Sequence, residues 1–223
     1  MLVLLIPYRD REEHKKIFID YMTRFFKQQN TEFVIYIIEQ TGSRPFNRGA
    51  LINAGFLEAR KIHSDASITY GAHDIDMLPT DISISYRIHD DCIKHLYGPA
   101  HTVGGICLFN AETFTQINGF PNNYWGWGRE DACLMMRAEV AGIPIDRYSF
   151  CERGKTVKFR ELPTDKQKQS KWPGGDYNEK AQLCQDEKEN PEYSKYNGLT
   201  TLQYIIKDTA IDNEVIHIKV YLF

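Results

Sequence analysis

The sequence lacks any apolar run long enough to cross a membrane. No stretch approaches the roughly 20 consecutive apolar residues that a spanning helix needs. The opening MLVLLIP is shorter than the apolar core of a signal peptide and has no basic leader. We therefore expect no membrane span in this chain, and we predict that MLVLLIP forms a first β-strand of a cytoplasmic protein.

An excess of charge of one sign is also lacking. The 223 residues carry 27 Lys and Arg against 30 Asp and Glu, which gives a net charge of −3. A nearly neutral chain has no field suited to nucleic acid or to an anionic membrane. We expect no nucleic-acid partner, and any anion that binds here should be small.

Paired cysteines, repeats and low-complexity segments are absent from the sequence as well. The five cysteines are odd in number and widely spaced, so they match neither a metal site nor a disulfide framework, and we expect reduced, mostly buried thiols. A chain of 25.9 kDa with 42% hydrophobic residues can bury one full core. We predict a single domain over residues 1–223.

What is present is an alternation of apolar strands and amphipathic helices. Apolar residues recur at helical spacing over 17–26, and Asn47 is placed to cap a helix that reaches about residue 60. We predict strands at 2–6, 33–38, 67–70, 103–109, 199–206 and 214–222, and helices at 17–26, 47–60 and 130–141. This order predicts an α/β fold, a mixed sheet flanked by helices, with ligands at the carboxyl ends of its strands. The polar, basic stretch at about 152–180 is predicted to be a mobile lid loop.

The motif HDIDMLP at 73–79 places two acids directly after a predicted strand. Strand alternation puts Asp74 and Asp76 on one side and Ile75 in the core. Two carboxylates at that spacing can bind a hard divalent cation that also grips a diphosphate. An Asp-rich turn without a metal is the alternative, because D-x-D is a common tripeptide.

The stretch GFPNNYWGWGRED at 119–131 combines glycines, tryptophans and acids. Trp125 and Trp127 offer flat faces for sugar rings, and the glycines between them let the backbone approach a ligand. Glu130 and Asp131 follow at the start of a predicted helix. Acids are favoured in any first helical turn, but a carboxylate beside an aromatic platform is also placed to deprotonate a sugar hydroxyl.

Two arginine-containing segments complete the set of candidate residues. Residues 7–11 read PYRDR and close the first strand, while residues 46–49 read FNRG and open a helix. An aromatic face can stack on a base, and guanidinium groups suit phosphates. Alone, such arginines are equally well explained as solvated surface residues.

Taken together, the segments IPYRDR, FNRGALINAGF, HDIDMLP, VGGICLF and NGFPNNYWGWGRED resemble the β-1,4-galactosyltransferase family, most of all its xylose-directed branch. The resemblance covers nearly the whole chain. It implies a GT-A fold, a UDP-sugar donor, Mn²⁺ as cofactor, a glycan or glycoside acceptor and inversion at the anomeric carbon. It also implies a nucleotide-binding half at about 1–80 and an acceptor half at about 81–223.

The resemblance assigns roles by position. Asp131 matches the catalytic base, and Asp76 matches the metal-binding aspartate. Glu130 matches a donor-site residue and is predicted to be catalytic together with Asp131. Nucleotide and sugar contacts fall on Pro7, Tyr8, Arg9, Arg11, Phe46, Arg48, Asp74, Thr102, Gly104, Gly105, Trp125 and Trp127.

This sequence departs from the family pattern at several places. Ala132 replaces an aspartate that holds the acceptor. Glu161 stands where the family has a metal-binding histidine, and we predict that Glu161 binds the metal in its place; a solvated surface glutamate is the alternative. Thr102 replaces a tyrosine that limits the space beside the donor sugar, so an N-acetylhexosamine donor is an alternative to galactose. Family members are typically anchored in the Golgi, so a Golgi-lumenal location is the alternative if the chain is a fragment.

The predicted function is transfer of galactose, or of an N-acetylhexosamine, from a UDP-sugar to a sugar hydroxyl. The non-enzyme alternative is a family member that binds a nucleotide or glycan without turnover. Asp74, Asp76, Glu130 and Asp131 favour catalysis, because a binding module has no need of a base.

Overall fold

A computed structural model describes residues 1–163 and 177–223. Its strands are β1 (Leu2–Tyr8), β2 (Phe33–Thr41), β3 (Thr69–His73), β4 (Met77–Pro79), β5 (Ile93–Gly98), β6 (Ile106–Phe109), β7 (Ile145–Asp146), β8 (Cys151–Glu152), β9 (Phe159–Glu161), β10 (Tyr204–Asp212) and β11 (Val215–Leu222). Its helices are α1 (Glu12–Gln28), α2 (Arg48–Ile62), α3 (Ala111–Gln116), α4 (Glu130–Val140) and α5 (Tyr177–Glu189), with short 3-10 turns at Pro191–Tyr196 and Leu199–Thr201.

In the described part of the chain, nine strands form one mixed sheet in the order β10-β11-β2-β1-β3-β6-β5-β7, with β8 also paired to β5. Strands β11, β2, β1 and β3 run parallel, whereas β6 is antiparallel to β3. The carboxyl ends of β1 and β3 therefore meet the start of β6 at one edge. Strands β4 and β9 form a separate antiparallel pair beside that edge.

The sheet is covered on both faces, which explains why β1 is apolar without alternation. On one face α1 packs its buried residues Phe18, Met22 and Phe26 against the sheet and β4. On the other face α2, α3 and α4 share a second core. The two cores hold the strand ends rigidly, so the loops at the carboxyl edge are fixed in place.

Several predicted boundaries are confirmed and others are wrong. Helix α2 begins after Asn47, whose side chain accepts a hydrogen bond from Ala50 N, as predicted. Strand β3 lies later than 67–70, and β6 covers only the last part of 103–109 because Gly105 takes a left-handed φ of 86°. The strand predicted at 199–206 starts only at Tyr204, since residues 199–201 form a 3-10 turn.

The predicted lid stretch contains more regular structure than expected. Strands β8 and β9 lie in its first part, α5 begins at Tyr177, and residues 164–176 lie outside the described part. The mobility of this stretch and the division into two halves stay predictions. Across the described ranges, no helix is long and apolar enough to cross a membrane. All five cysteines lie in those ranges as free thiols, and three of them are buried.

Candidate functional site

The candidate site lies where the carboxyl ends of β1 and β3 meet the first turns of α2 and α4. The loop after β1 carries Arg9 and Arg11, and the D-x-D motif follows β3 directly. Ile75 is buried between the two aspartates, as predicted. The site therefore combines charged side chains from segments that are far apart in the sequence.

Arg48 connects the D-x-D motif with α4. Its Nε donates to Asp74 Oδ1 (2.7 Å), and its Nη1 lies 3.6 Å from Glu130 Oε1. Burial lowers the pKa of Arg48, but Asp74 and Glu130 outweigh that effect and raise it. Arg48 is thus a fixed cation between two acids that the sequence predicted for the site.

Glu130 is buried at the start of α4, and its environment favours the neutral form. Burial raises the pKa of Glu130 from 4.5 to about 7, and the charge of Asp131 adds to the rise, while Arg48 opposes it. Two adjacent carboxyls in a poorly solvated site resist ionising together. Glu130 therefore titrates near neutral pH.

Asp76 and Glu161 are brought to the same place by the pairing of β4 with β9. Met77 stands opposite Glu161 in this pair, and Leu162 N donates to Asp76 O (2.7 Å). Asp76 accepts from Arg11 Nη1 (3.1 Å). Glu161 accepts from Arg153 Nε (2.5 Å) and Nη2 (2.9 Å).

Tyr97 is a further contact of Glu161, with its hydroxyl donating to the carboxylate at 2.8 Å. Burial and the contact with Glu161 raise the pKa of Tyr97 to about 12. Each of three carboxylates in this region is paired with a different arginine: Asp74 with Arg48, Asp76 with Arg11 and Glu161 with Arg153. Tyr97 and Arg153 were missed by sequence reasoning, because β5 and the segment before β9 carry no motif that points to them.

The donor set fits a hard divalent cation that is bound together with a phosphate. In the described residues no group of three or more His, Cys, Asp or Glu side chains is arranged to hold a metal. Asp76 and Glu161 supply carboxylate oxygens, and one or two carboxylates are enough for such ions when substrate phosphates complete the coordination. These two residues are the ones that could hold Mn²⁺.

Asp131 lies half-buried in the first turn of α4 and faces the loop before β6. Its Oδ2 accepts from Thr102 Oγ1 (2.9 Å), and its Oδ1 accepts from Ala132 N (2.8 Å). Gly104 and Gly105 lie in the same loop, and Gly105 O accepts from Asp74 N (3.2 Å). The structure therefore brings Thr102, both glycines and the predicted base together.

The tryptophans have different surroundings. Trp127 is 77% exposed and can offer its ring face to a ligand, as predicted. The prediction for Trp125 is wrong in this respect, because that ring packs against the core of α2 and is covered by the Arg44 guanidinium at 3.6 Å. Burial of apolar surface against this core favours that position over exposure to solvent.

The loop after β1 forms the outer wall of the site. Pro7 and Tyr8 are buried, and Tyr8 donates to Glu12 Oε2 (3.1 Å) while Lys15 lies over its ring. Tyr8 is thus covered in this state and has no open face for a base. Arg9 donates to Arg44 O (2.7 Å).

Phe46 is the more accessible aromatic side chain of this wall. Its ring is half-buried, and the Arg9 guanidinium lies 5.6 Å from its centroid. The Phe46 ring also packs against the core shared by α2, α3 and α4, which holds it beside the Arg9 guanidinium. Arg9, Phe46 and Arg48 therefore line one continuous wall.

The mixed sheet with carboxylates and arginines at its carboxyl edge defines an α/β domain of GT-A-like glycosyltransferase type. Residues 1–89 match the family described as the N-terminal region of glycosyl transferase group 7. Residues 92–162 match the family described as the N-terminal domain of galactosyltransferase. The chain belongs to the β-1,4-galactosyltransferase family, as the sequence motifs predicted.

Curated relatives agree with this assignment. Beta-1,4-galactosyltransferase 4 of Mus musculus is 36% identical over 156 residues, which cover 66% of this chain and 44% of the relative. Beta-1,4-galactosyltransferase 6 of Homo sapiens is 35% identical over 171 residues, covering 73% and 43%. The chain spans less than half the length of these relatives.

Solved structures support the fold over the full chain. A variant of Drosophila β-1,4-galactosyltransferase 7, in complex with manganese, UDP-Gal and xylobiose, superposes with a TM-score of 0.80 at 26% identity, covering 100% of this chain and 94% of that one. The catalytic domain of the same Drosophila enzyme with xylobiose gives 0.80 at 25% identity, with the same coverage. The predicted GT-A-like α/β fold is confirmed.

Proposed function

We propose that this chain is an inverting, Mn²⁺-dependent glycosyltransferase domain that moves galactose from UDP-galactose to a sugar hydroxyl and forms a β-1,4 linkage. The observation that carries the proposal is the largely buried position of Arg48, which pairs with Asp74 and lies 3.6 Å from Glu130. These contacts connect the carboxyl edge of the sheet, whose charges suit a diphosphate, with α4, the helix that carries Asp131. Family membership and the Drosophila complex with manganese and UDP-Gal support the donor and the metal.

The diphosphate end of the donor fits the arginines of this edge. Arg11 and Arg153 each hold a carboxylate at the metal position, so a diphosphate can take over the arginines while a cation takes the carboxylates. Bound Mn²⁺ would supply Lewis-acid stabilisation of the leaving diphosphate. Arg48 keeps Asp74 in place beside it.

Asp131 is the residue suited to act as base. Its carboxylate is half-buried and follows the exposed Trp127 by four residues in the chain, so an acceptor sugar stacked on Trp127 could bring a hydroxyl to it. A single base that activates the acceptor hydroxyl fits a direct displacement, which inverts the anomeric carbon. Glu130 stays behind it as the partner of Arg48.

The acceptor is proposed to be a glycoside with an equatorial hydroxyl at carbon 4. Trp127 offers an apolar face suited to a pyranose ring. A xyloside is the first acceptor to test, because the related Drosophila structures contain xylobiose. Ala132 leaves the acceptor with one carboxylate fewer than the family pattern, so acceptor affinity should depend more on ring stacking.

The direct test is a matrix of donors and acceptors with Mn²⁺. UDP-galactose, UDP-GalNAc and UDP-GlcNAc are each offered to xylosides, glucosides and N-acetylglucosaminides, with Asp131→Asn as the inactive control. The proposal expects product from UDP-galactose that requires both Mn²⁺ and Asp131. If product forms only from UDP-GalNAc or UDP-GlcNAc, the donor is an N-acetylhexosamine nucleotide and not UDP-galactose. UDP binding without any product would favour a binding module.

A further inference from the structure

Thr102 contacts Asp131, the proposed base, and the family pattern does not predict this contact. The family has a tyrosine here that limits the donor pocket, and the sequence assigned Thr102 to that pocket. In the structure Thr102 is only 6% exposed, and its hydroxyl donates to Asp131 Oδ2 at 2.9 Å. The small side chain thus reaches the carboxylate on α4.

The direction of this hydrogen bond is fixed by a second one. Thr102 Oγ1 accepts from Gly104 N (3.1 Å), so the hydroxyl proton has to point elsewhere, and Asp131 is the acceptor that it meets. A hydroxyl that accepts from a backbone N–H and donates to a carboxylate has no rotational freedom left. The result is one fixed donor aimed at Oδ2.

The loop that carries Thr102 is itself held by two side chains, the half-buried Arg147 and the buried His95. Arg147 Nη2 donates to Thr102 O (2.8 Å). His95 Nε2 lies 2.9 Å from Gly104 O, and since a carbonyl only accepts, this nitrogen carries the proton. Burial lowers the pKa of His95 to about 4, which keeps the ring neutral near pH 7.

Gly104 shows how closely the loop approaches the carboxylate. A Cβ at this position would lie 2.2 Å from Asp131 Oδ2, so any side chain here would displace the carboxylate. The other oxygen, Oδ1, accepts from Ala132 N at 2.8 Å. With one donor on each oxygen, rotation of the carboxylate is blocked and its remaining lone pairs have fixed directions.

We propose that Thr102 is a positioning residue for Asp131, orienting the carboxylate toward the acceptor hydroxyl. This inference rests on the proposed transferase function and deepens it. A base must lie within hydrogen-bond reach of the proton that it removes, and a displacement of about 1 Å can cost ~10²-fold in rate. Without the threonine hydroxyl, Asp131 keeps only its bond to Ala132 N and turns away.

The test compares Thr102→Val, which keeps the shape without the hydroxyl, with Thr102→Ser, which keeps the hydroxyl. Thr113→Val is the matched control, because Thr113 is equally buried on α3 and its hydroxyl has no hydrogen-bond partner among the described residues. We expect Thr102→Val to lower kcat by ~10–100-fold with donor and acceptor KM within about twofold. Serine should restore kcat, and Thr113→Val should leave it unchanged.

Binding measurements separate positioning from structural damage. Calorimetric UDP affinity with Mn²⁺ should be the same in wild type, Thr102→Val and Thr102→Ser. If the valine variant does not fold, Thr102→Ala serves as the hydroxyl-free form, because it removes atoms and adds none.

The outcomes distinguish this inference from the proposed function. An active wild type with an equally active Thr102→Val overturns the positioning role and leaves the transferase in place. A kcat loss that serine does not restore also overturns it, since shape and not the hydroxyl would then be the cause. A wild type that transfers no sugar from any donor overturns the proposed function, and the positioning role with it.

Discussion

At the scale of single residues, each acid of the site is held by a side chain from a distant segment: Arg48 contacts Asp74, and Thr102 contacts Asp131. Asp74, Asp76, Glu130 and Asp131 could be predicted because strand ends and first helical turns are marked locally in the chain. The contacts of Tyr97 and Arg153 with Glu161, and the contact of Thr102 with Asp131, join segments that are far apart in the sequence. Contacts of this kind depend on the sheet order, which no local pattern contains.

Asp131→Asn tests the base directly. Asparagine keeps the size of the side chain, and its one amide oxygen can still accept from either Thr102 or Ala132 N, so the fold should survive. The rate of transfer should fall by ~10²–10⁴-fold, the usual contribution of a general base. UDP affinity with Mn²⁺ should not change. Near-normal turnover would remove Asp131 from this role.

Glu130→Gln tests whether a buried carboxyl titrates near neutral pH. The pKa of Glu130 in the folded state lies above its usual 4.5, at about 7. The neutral carboxyl therefore stabilises the folded state fully below about pH 4.5. This contribution is lost as the pH rises through about 7. The glutamine variant has no such loss.

Denaturant unfolding of both proteins from pH 4 to 8 provides the measurement. Relative to Glu130→Gln, the wild type should become less stable by ~3 kcal/mol across this range, at 1.36 kcal/mol per pKa unit. A constant difference between the two proteins would show that folding does not raise the pKa of Glu130.

At the scale of elements, long periodic segments were predicted well and short ones poorly. Helix α2 starts after its asparagine cap because the cap is a local signal. The pair β4–β9 was not predicted, since three-residue strands have no usable periodicity, and α5 was missed inside a polar, basic stretch. The β4–β9 pair nevertheless determines where Glu161 lies.

Glu161→Gln tests the contribution of β9 to the metal site. Glutamine keeps the size of the side chain and removes its charge. The Mn²⁺ concentration needed for half-maximal UDP binding should therefore rise by ~10–100-fold, which is the usual loss of metal affinity when a residue that supports a metal site is mutated. Glu152→Gln is the control, because Glu152 lies on β8 with a surface lysine as its partner. Equal Mn²⁺ requirements in both variants would mean that Glu161 is only the partner of Arg153.

At the scale of the whole molecule, cation and anion sites are interleaved. Asp76 is paired with Arg11, and Glu161 is paired with Arg153. Each carboxylate needed for the cation is therefore neutralised by an arginine needed for the diphosphate. Binding of a divalent cation and of a diphosphate should therefore be coupled. By linkage, UDP strengthens Mn²⁺ binding by the same factor by which Mn²⁺ strengthens UDP binding, typically about 5–150-fold.

Arg11→Gln tests this coupling by calorimetry. Without Arg11, Asp76 is easier for the cation to reach, so Mn²⁺ alone should bind more tightly, while UDP binds more weakly and the coupling factor shrinks. Asp76→Ala should abolish the effect of Mn²⁺ on UDP. Arg24→Gln is the control, because this exposed arginine pairs with Asp20 on the surface of α1. Equal UDP affinity with and without Mn²⁺ in the wild type would contradict the coupling.

The most direct measurement of the central claim is the structure of the product by nuclear magnetic resonance. The wild-type protein is incubated with UDP-galactose, Mn²⁺ and a β-xyloside, and the anomeric proton and linkage of the product are assigned. UDP-galactose carries its sugar through an α bond, so direct displacement predicts a β-linked galactose, and membership of the β-1,4-galactosyltransferase family predicts that it is attached to oxygen 4. An α-linked product, or galactose released to water with no transfer to any acceptor offered, would contradict the account.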